Sequence, residues 1–109
     1  MLFRSAEHAE RMAQALDVMR EALQYHVDAV QRIVRVTPLD AGWTYAGMDT
    51  SAAPSKNCTS MVEVYRLLGV PYFGAAGTVE ASALLTRLSK SVKDVEAVGF
   101  SGLMLTVTL

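Results

Sequence analysis

A single cysteine, Cys58, excludes an internal disulfide and leaves any metal without a thiolate cluster. Charge of one sign is also lacking: ten basic residues stand against eleven acidic ones, for a formal net charge of -1. That balance supplies no positive field for nucleic acid or an anionic membrane, so neither is expected as a partner. Long apolar runs are missing. The opening Met1-Leu2-Phe3-Arg4-Ser5-Ala6-Glu7-His8 reaches charge before a signal-peptide core can form, and no later run nears the ~18 residues of a membrane span. The expectation is a soluble cytoplasmic protein. Without a secretion signal, the sequon Asn57-Cys58-Thr59 is read as a chance match. Neither glycine nor proline occurs between Ser5 and Val36, so nothing interrupts a helix in the first third of the chain.

What is present is apolar. Half of the 109 residues (51%) are hydrophobic and 19% are charged, too hydrophobic a balance for disorder and one that favours buried or self-associating surface. The length fits one domain, residues 1–109, able to bury roughly 65% of its unfolded surface.

Met12, Leu16, Met19, Leu23, His26, Val30 and Ile33 recur at spacings 4, 3, 4, 3, 4, 3, an a/d stripe that predicts one long amphipathic helix over residues 5–36. Ser5 suits its N-cap, and Thr37-Pro38 ends the pattern. At 1.5 Å per residue the helix spans ~44 Å, whereas a domain of 100 residues has a radius of gyration of ~13 Å. Part of the stripe therefore wants a partner. Two arrangements satisfy it: a coiled-coil dimer, or packing across a sheet or second helix. A homo-oligomer, a dimer in particular, is the expected partner. His26 lies on the stripe without a second ligand at metal spacing and reads as a core or interface histidine; His8 is assigned no role.

The remainder, residues 41–109, alternates strand and helix signals. Trp43-Thr44-Tyr45-Ala46-Gly47-Met48-Asp49 reads as a strand opening into a loop at Thr50-Ser51. Ser60-Met61-Val62-Glu63 matches a capping box for a short helix stopped by Gly69. A brief strand over Val70-Pro71-Tyr72-Phe73 leads through the turn from Gly74 to Gly77 into a helix capped by Thr78. Leu103, Leu105, Val107 and Leu109 alternate with polar or flexible residues, the mark of a final strand. The expected fold class is therefore α/β: a long N-terminal helix followed by a small β-α-β-α-β segment with mainly parallel strands.

In such a sheet ligands gather beyond the carboxyl ends of the strands, where Asp49, Thr50, Ser51, Gly74, Gly77 and Thr78 would meet. The Gly74-Ala75-Ala76-Gly77-Thr78 turn offers backbone N–H groups and a helix N-terminus to a small anion, or simply forms a turn and cap. It lacks the Gly-Lys-Ser/Thr of a P-loop and the third glycine of a dinucleotide fingerprint. Asp49 either anchors a ligand or caps its own loop. No metal site and no cofactor are expected.

The blocks Gly47-Met48-Asp49-Thr50-Ser51-Ala52-Ala53-Pro54, Gly69-Val70, Phe73-Gly74, Gly77-Thr78 and Gly99-Phe100-Ser101-Gly102-Leu103-Met104 resemble, over about residues 41–107, a bacterial and archaeal family of uncharacterised proteins grouped with pyruvate formate-lyase-like folds. The resemblance implies an α/β barrel-like architecture in much longer proteins and brings no settled reaction. In that family Gly102-Leu103-Met104-Leu105 is usually followed by proline and an acidic pair, whereas this chain reads Thr106-Val107-Thr108-Leu109, as one segment of a larger ancestor would. A radical-bearing glycine and an active cysteine cannot be placed: Cys58 precedes a helix and Gly102 falls in an expected strand. Three readings remain: a truncated α/β assembly module that self-associates or binds a protein partner; a small-molecule or anion-binding protein, a residual enzyme; or a fragment with no independent role. No base, nucleophile and orienting group assemble from these residues, so catalysis by this chain alone is not expected.

Overall fold

With no glycine or proline to break it, the first third winds into one helix, α1 (Leu2–Val36), in the computed structural model, which describes residues 2–53 and 55–105. The helix begins ahead of Ser5, which lies within it. It ends where Ile33 O accepts from both the Thr37 N–H (3.1 Å) and the Thr37 hydroxyl (2.6 Å), with Pro38 unable to continue the ladder. At 35 residues α1 is ~52 Å long and sets the longest of the molecular extents, 60 × 34 × 20 Å. The radius of gyration is 16.6 Å, well above the ~13 Å of a compact chain this size.

The short helix α2 (Met61–Leu67) is closed at both ends by local chemistry. The Ser60 hydroxyl accepts from the Val62 N–H at 3.2 Å, while Glu63 turns to Arg66 instead of back to Ser60, so the serine caps the helix but the reciprocal capping box does not form. At the far end the Gly69 N–H donates to Arg66 O and the Val70 N–H to Tyr65 O. These are the two bonds of a Schellman motif, with Gly69 at φ 93° in the left-handed position. The apolar contact that accompanies the motif is here the pair Tyr65 and Val70, both buried. Helix α3 (Thr78–Ser89) starts one residue earlier than a Thr78 cap requires: its N-cap is Gly77, at φ 96°.

The core is one small cluster. Leu16 of α1 meets Tyr65 and Val70 of the α2 turn and Ala81, Leu84 and Leu85 of α3, with Met12, Met19, Met61 and Leu88 packed around them. Further along, α1 holds the 93–94 segment by side chains: the Gln24 amide donates to Lys93 O (2.9 Å) and accepts from Lys93 N (2.8 Å), pairing as a peptide group would.

The α/β expectation is overturned. Three helices carry about half of the chain, and among the described residues there is no strand, only two isolated parallel bridges, Met48 with Ala97 and Ala52 with Leu103. The bridges lie four positions apart on one segment and six on the other, so the ladder cannot run between them. Side chains fill the gap, as described below. Residues 70–73 bend into the following turn rather than forming a strand, because Val70 is committed to closing α2 and Pro71 has no N–H to pair. Of the expected final strand, Leu103 makes a bridge, while residues 106–109 lie outside the described residues.

Candidate functional site

Asp49, Thr50 and Ser51 are brought together with residues 99–102 in a braced pair of loops. Asp49 Oδ1 accepts from the Ser51 N–H (2.9 Å), the Ser51 hydroxyl and the Ser101 N–H (3.0 Å), and Oδ2 accepts from the Phe100 N–H (3.3 Å). Ser51 Oγ in turn accepts from the Gly102 N–H at 3.1 Å. Thr50 donates its hydroxyl to Ser89 O, fastening the loops to the end of α3. Asp49 thus caps its own loop and, across the gap between the two bridges, replaces the carbonyls that a continuous ladder would have offered.

Two conformational requirements support this brace. Gly99 sits at φ 67°, and a Cβ there would collide with Asp49 Oδ2. Ser101 adopts φ 44°, a left-handed conformation held by its hydroxyl donating to Val98 O at 2.9 Å. The Ser51 hydroxyl first, then the Ser51 N–H, then the Ser101 and Phe100 N–H groups hold the Asp49 carboxyl below its ordinary value of 3.8, against a smaller opposing effect of desolvation. Such a carboxylate is a weak base and a good anchor.

Gly74, Gly77 and Thr78 form a separate turn. The Gly74 N–H donates to Thr78 Oγ1 at 3.1 Å, and Thr78 Oγ1 donates to Ala75 O at 2.7 Å. No hydrogen bond joins this turn to the Asp49 loops among the described residues. In the two loops the N–H groups of Gly74, Phe100, Ser101 and Gly102 already donate within the chain, while the first turn of α3 has no side-chain cap. An open groove of about 700 Å³ brings Ser51 beside Ser60, Cys58 and Phe73; hydroxyls line it and no charged side chain does. Among the described residues no three His, Cys, Asp or Glu side chains gather to hold a metal ion.

The α1 stripe is divided. Met12, Leu16 and Met19 pack into the chain's own core, Leu23 is half-buried, and His26, Val30 and Ile33 are exposed. Beyond Leu23 the inward positions are instead Val27, Gln31 and Val34. Val27 and Val34 stand 11 and 18 residues from Leu16, about three and five whole turns, so a straight helix returns them to the same side while a heptad series drifts off it. Sequence reasoning missed a second apolar series, Val18, Ala22, Tyr25, Ala29, Ile33 and Val36 at spacings 4, 3, 4, 4, 3, which an a/d search passes over. It also missed the Phe100 and Ser101 N–H groups, whose only sequence signal is a serine set between two glycines.

This is a small helical protein with a side-chain-braced loop pair and, among the described residues, no helix long and apolar enough to cross a membrane. The family model described as Uncharacterised ACR (DUF711) matches residues 2–108, and the chain belongs to that family. The match takes in α1 as well as the glycine blocks, and carries no link to pyruvate formate-lyase-like folds. No curated protein and no solved structure matches the chain.

Proposed function

We propose that this protein works by assembly, with the exposed C-terminal half of α1 as its contact surface. The observation that carries the reading is surface area. The chain exposes 8348 Å², about 2,400 Å² more than the ~5,900 Å² expected of a folded monomer of 11.8 kDa. A standard interface takes ~800 Å² from each partner, so the surplus is ample for one. Self-association is the form of assembly favoured, because one α1 offers another the same apolar face.

Ligand binding is the weaker reading, since the N–H groups of Gly74, Phe100, Ser101 and Gly102 are already engaged by Thr78, Asp49 and Ser51. Nor is radical chemistry: Cys58 is exposed in a turn, where a thiyl radical would meet solvent. Light scattering of the purified chain from micromolar to millimolar concentration is the test. A defined oligomer that Ile33→Asp abolishes supports the proposal, and a monomer at every concentration defeats it.

A further inference from the structure

We infer that the second copy binds antiparallel, through the face of α1 formed by Val18, Ala22, Tyr25, Ala29, Ile33 and Val36; this rests on the assembly reading above. At 3.6 residues per turn these six positions fall within an arc of about 80°, roughly opposite Leu16. The large members are well exposed: Val18 66%, Tyr25 68%, Ile33 63% and Val36 80%. Together they offer on the order of 500 Å² per copy, and a charged margin brings the contact to the ~800 Å² per partner of a standard interface.

Charge decides the direction. Asp17, Glu21, Asp28, Arg32 and Arg35 all lie on one flank of the stripe, acidic towards its start and basic towards its end. The other flank carries Ala15, His26 and Val30 and no formal charge. In an antiparallel pair related by a two-fold axis each flank meets its own copy in reverse order, whereas in a parallel pair it meets the opposite flank. Only the antiparallel pair sets acid against base at Asp17, Glu21, Arg32 and Arg35, and near its centre it brings the two Asp28 side chains level to within ~3 Å. With Val18 of one copy level with Val36 of the other, Glu21 comes level with Arg32 and Asp17 with Arg35, each within ~3 Å along the axis. Tyr25 is then level with Ala29, a large side chain over a small one. Among the described residues Glu21, Arg32 and Arg35 have no ion-pair partner within the chain.

The test is cysteine cross-linking in the full chain carrying Cys58→Ser. Val18→Cys and Val36→Cys variants are oxidised separately and as an equimolar mixture. Both replaced side chains are exposed, so folding is expected to be retained, and retained helicity by circular dichroism checks it. The antiparallel pair predicts a cross-linked dimer in the mixture and at least tenfold less in either variant alone. Cross-linking of each variant to itself overturns the inference in favour of a parallel pair. A dimer by light scattering that cross-links in no sample places the contact elsewhere, overturning the inference while self-association stands. A monomer overturns both. Charge reversal supplies a second readout: Glu21→Arg weakens the dimer, and adding Arg32→Glu restores it, whereas no rescue counts against the register.

Discussion

Tyr65 is the side chain on which the junction of the three helices depends, and replacing it tests that junction directly. It is 1% exposed, and its ring meets Phe73 edge-on at 4.9 Å between centroids. Its hydroxyl lies 2.6 Å from Ser82 Oγ on α3. Truncation of a buried aromatic to alanine costs about 3–5 kcal/mol. The total stability of a chain this long is of the order of 5–15 kcal/mol, and a chain with so much exposed surface belongs at the low end. Tyr65→Ala is therefore expected to leave the protein barely folded. Tyr65→Phe keeps the ring and loses one hydrogen bond, a loss of about 1 kcal/mol, or a fall in Tm of about 5 °C for a domain near this size. Urea unfolding followed by helical circular dichroism measures both, and Ser82→Ala alone and combined with Tyr65→Phe completes a double-mutant cycle with a coupling of about 1 kcal/mol. If Tyr65→Ala stayed within about 1 kcal/mol of the parent, far below the cavity cost, Tyr65 would not anchor α2 to the core it shares with α1 and α3, and that core would be refuted. Equal losses for the Phe and Ala variants would assign the effect to the hydroxyl and leave the ring without weight.

Two further predictions concern the glycines and Asp49. Gly69 and Gly99 both have positive φ, 93° and 67°. An added Cβ at Gly69 meets nothing within 4 Å, while at Gly99 it strikes the Asp49 carboxylate. Gly69→Ala is expected to lose the ~1–2 kcal/mol of left-handed strain, and Gly99→Ala measurably more; equal urea midpoints for the two would sink the brace. Because the folded Asp49 carboxyl lies below its ordinary 3.8, its contribution is present above that value and is lost as pH falls through the folded value. The stability gap between the parent and Asp49→Asn should therefore narrow below pH 3.8, and a gap unchanged into strong acid would show that the carboxylate carries no folding linkage.

How much was legible follows from what each element needs. The helices depend on neighbours in sequence, and their signals were local: the uninterrupted run of α1, Ser60 and Gly69 around α2, and the apolar series of α3. Strands depend on a partner at a distance. The segments holding Met48 and Leu103 carry strand signals, and they do meet in parallel at Met48 with Ala97 and Ala52 with Leu103, but two extra residues on one side break the register. Asp49 and Ser51 satisfy the intervening N–H groups in place of a ladder. Nothing in the spacing of Asp49 and Ser51 announces a partner 50 residues away. The site residues were legible in the same measure. That Asp49 would cap its loop follows from its residue type, whereas its bonds to Phe100 and Ser101 required the fold.

The two apolar faces of α1 explain why a regular stripe misled on one point and informed on another. A rod of 35 residues cannot be covered by partners as short as α2 and α3, at 7 and 12 residues. Its inner face joins the hydrophobic core only around Leu16; farther along it is mixed, with Val27 buried and Val34 half-buried beside Gln24 and Gln31, which reach the backbone of Lys93 and Asp94. The glutamines contribute mainly hydrogen bonds of about 1 kcal/mol net each. The larger apolar side chains of that half, Tyr25, Ile33 and Val36, point outwards. A helix end with few apolar contacts inward and a wide apolar face in water is weakly held by its own chain. Burying the outward face against a second α1 would relieve that imbalance over the same turns that the core leaves weakest. The C-terminal half of α1 should therefore exchange its amide hydrogens faster than the half around Leu16 when dilute, and slow with rising protein concentration. Protection of that half independent of concentration would instead mean that Gln24 and Gln31 suffice to hold it.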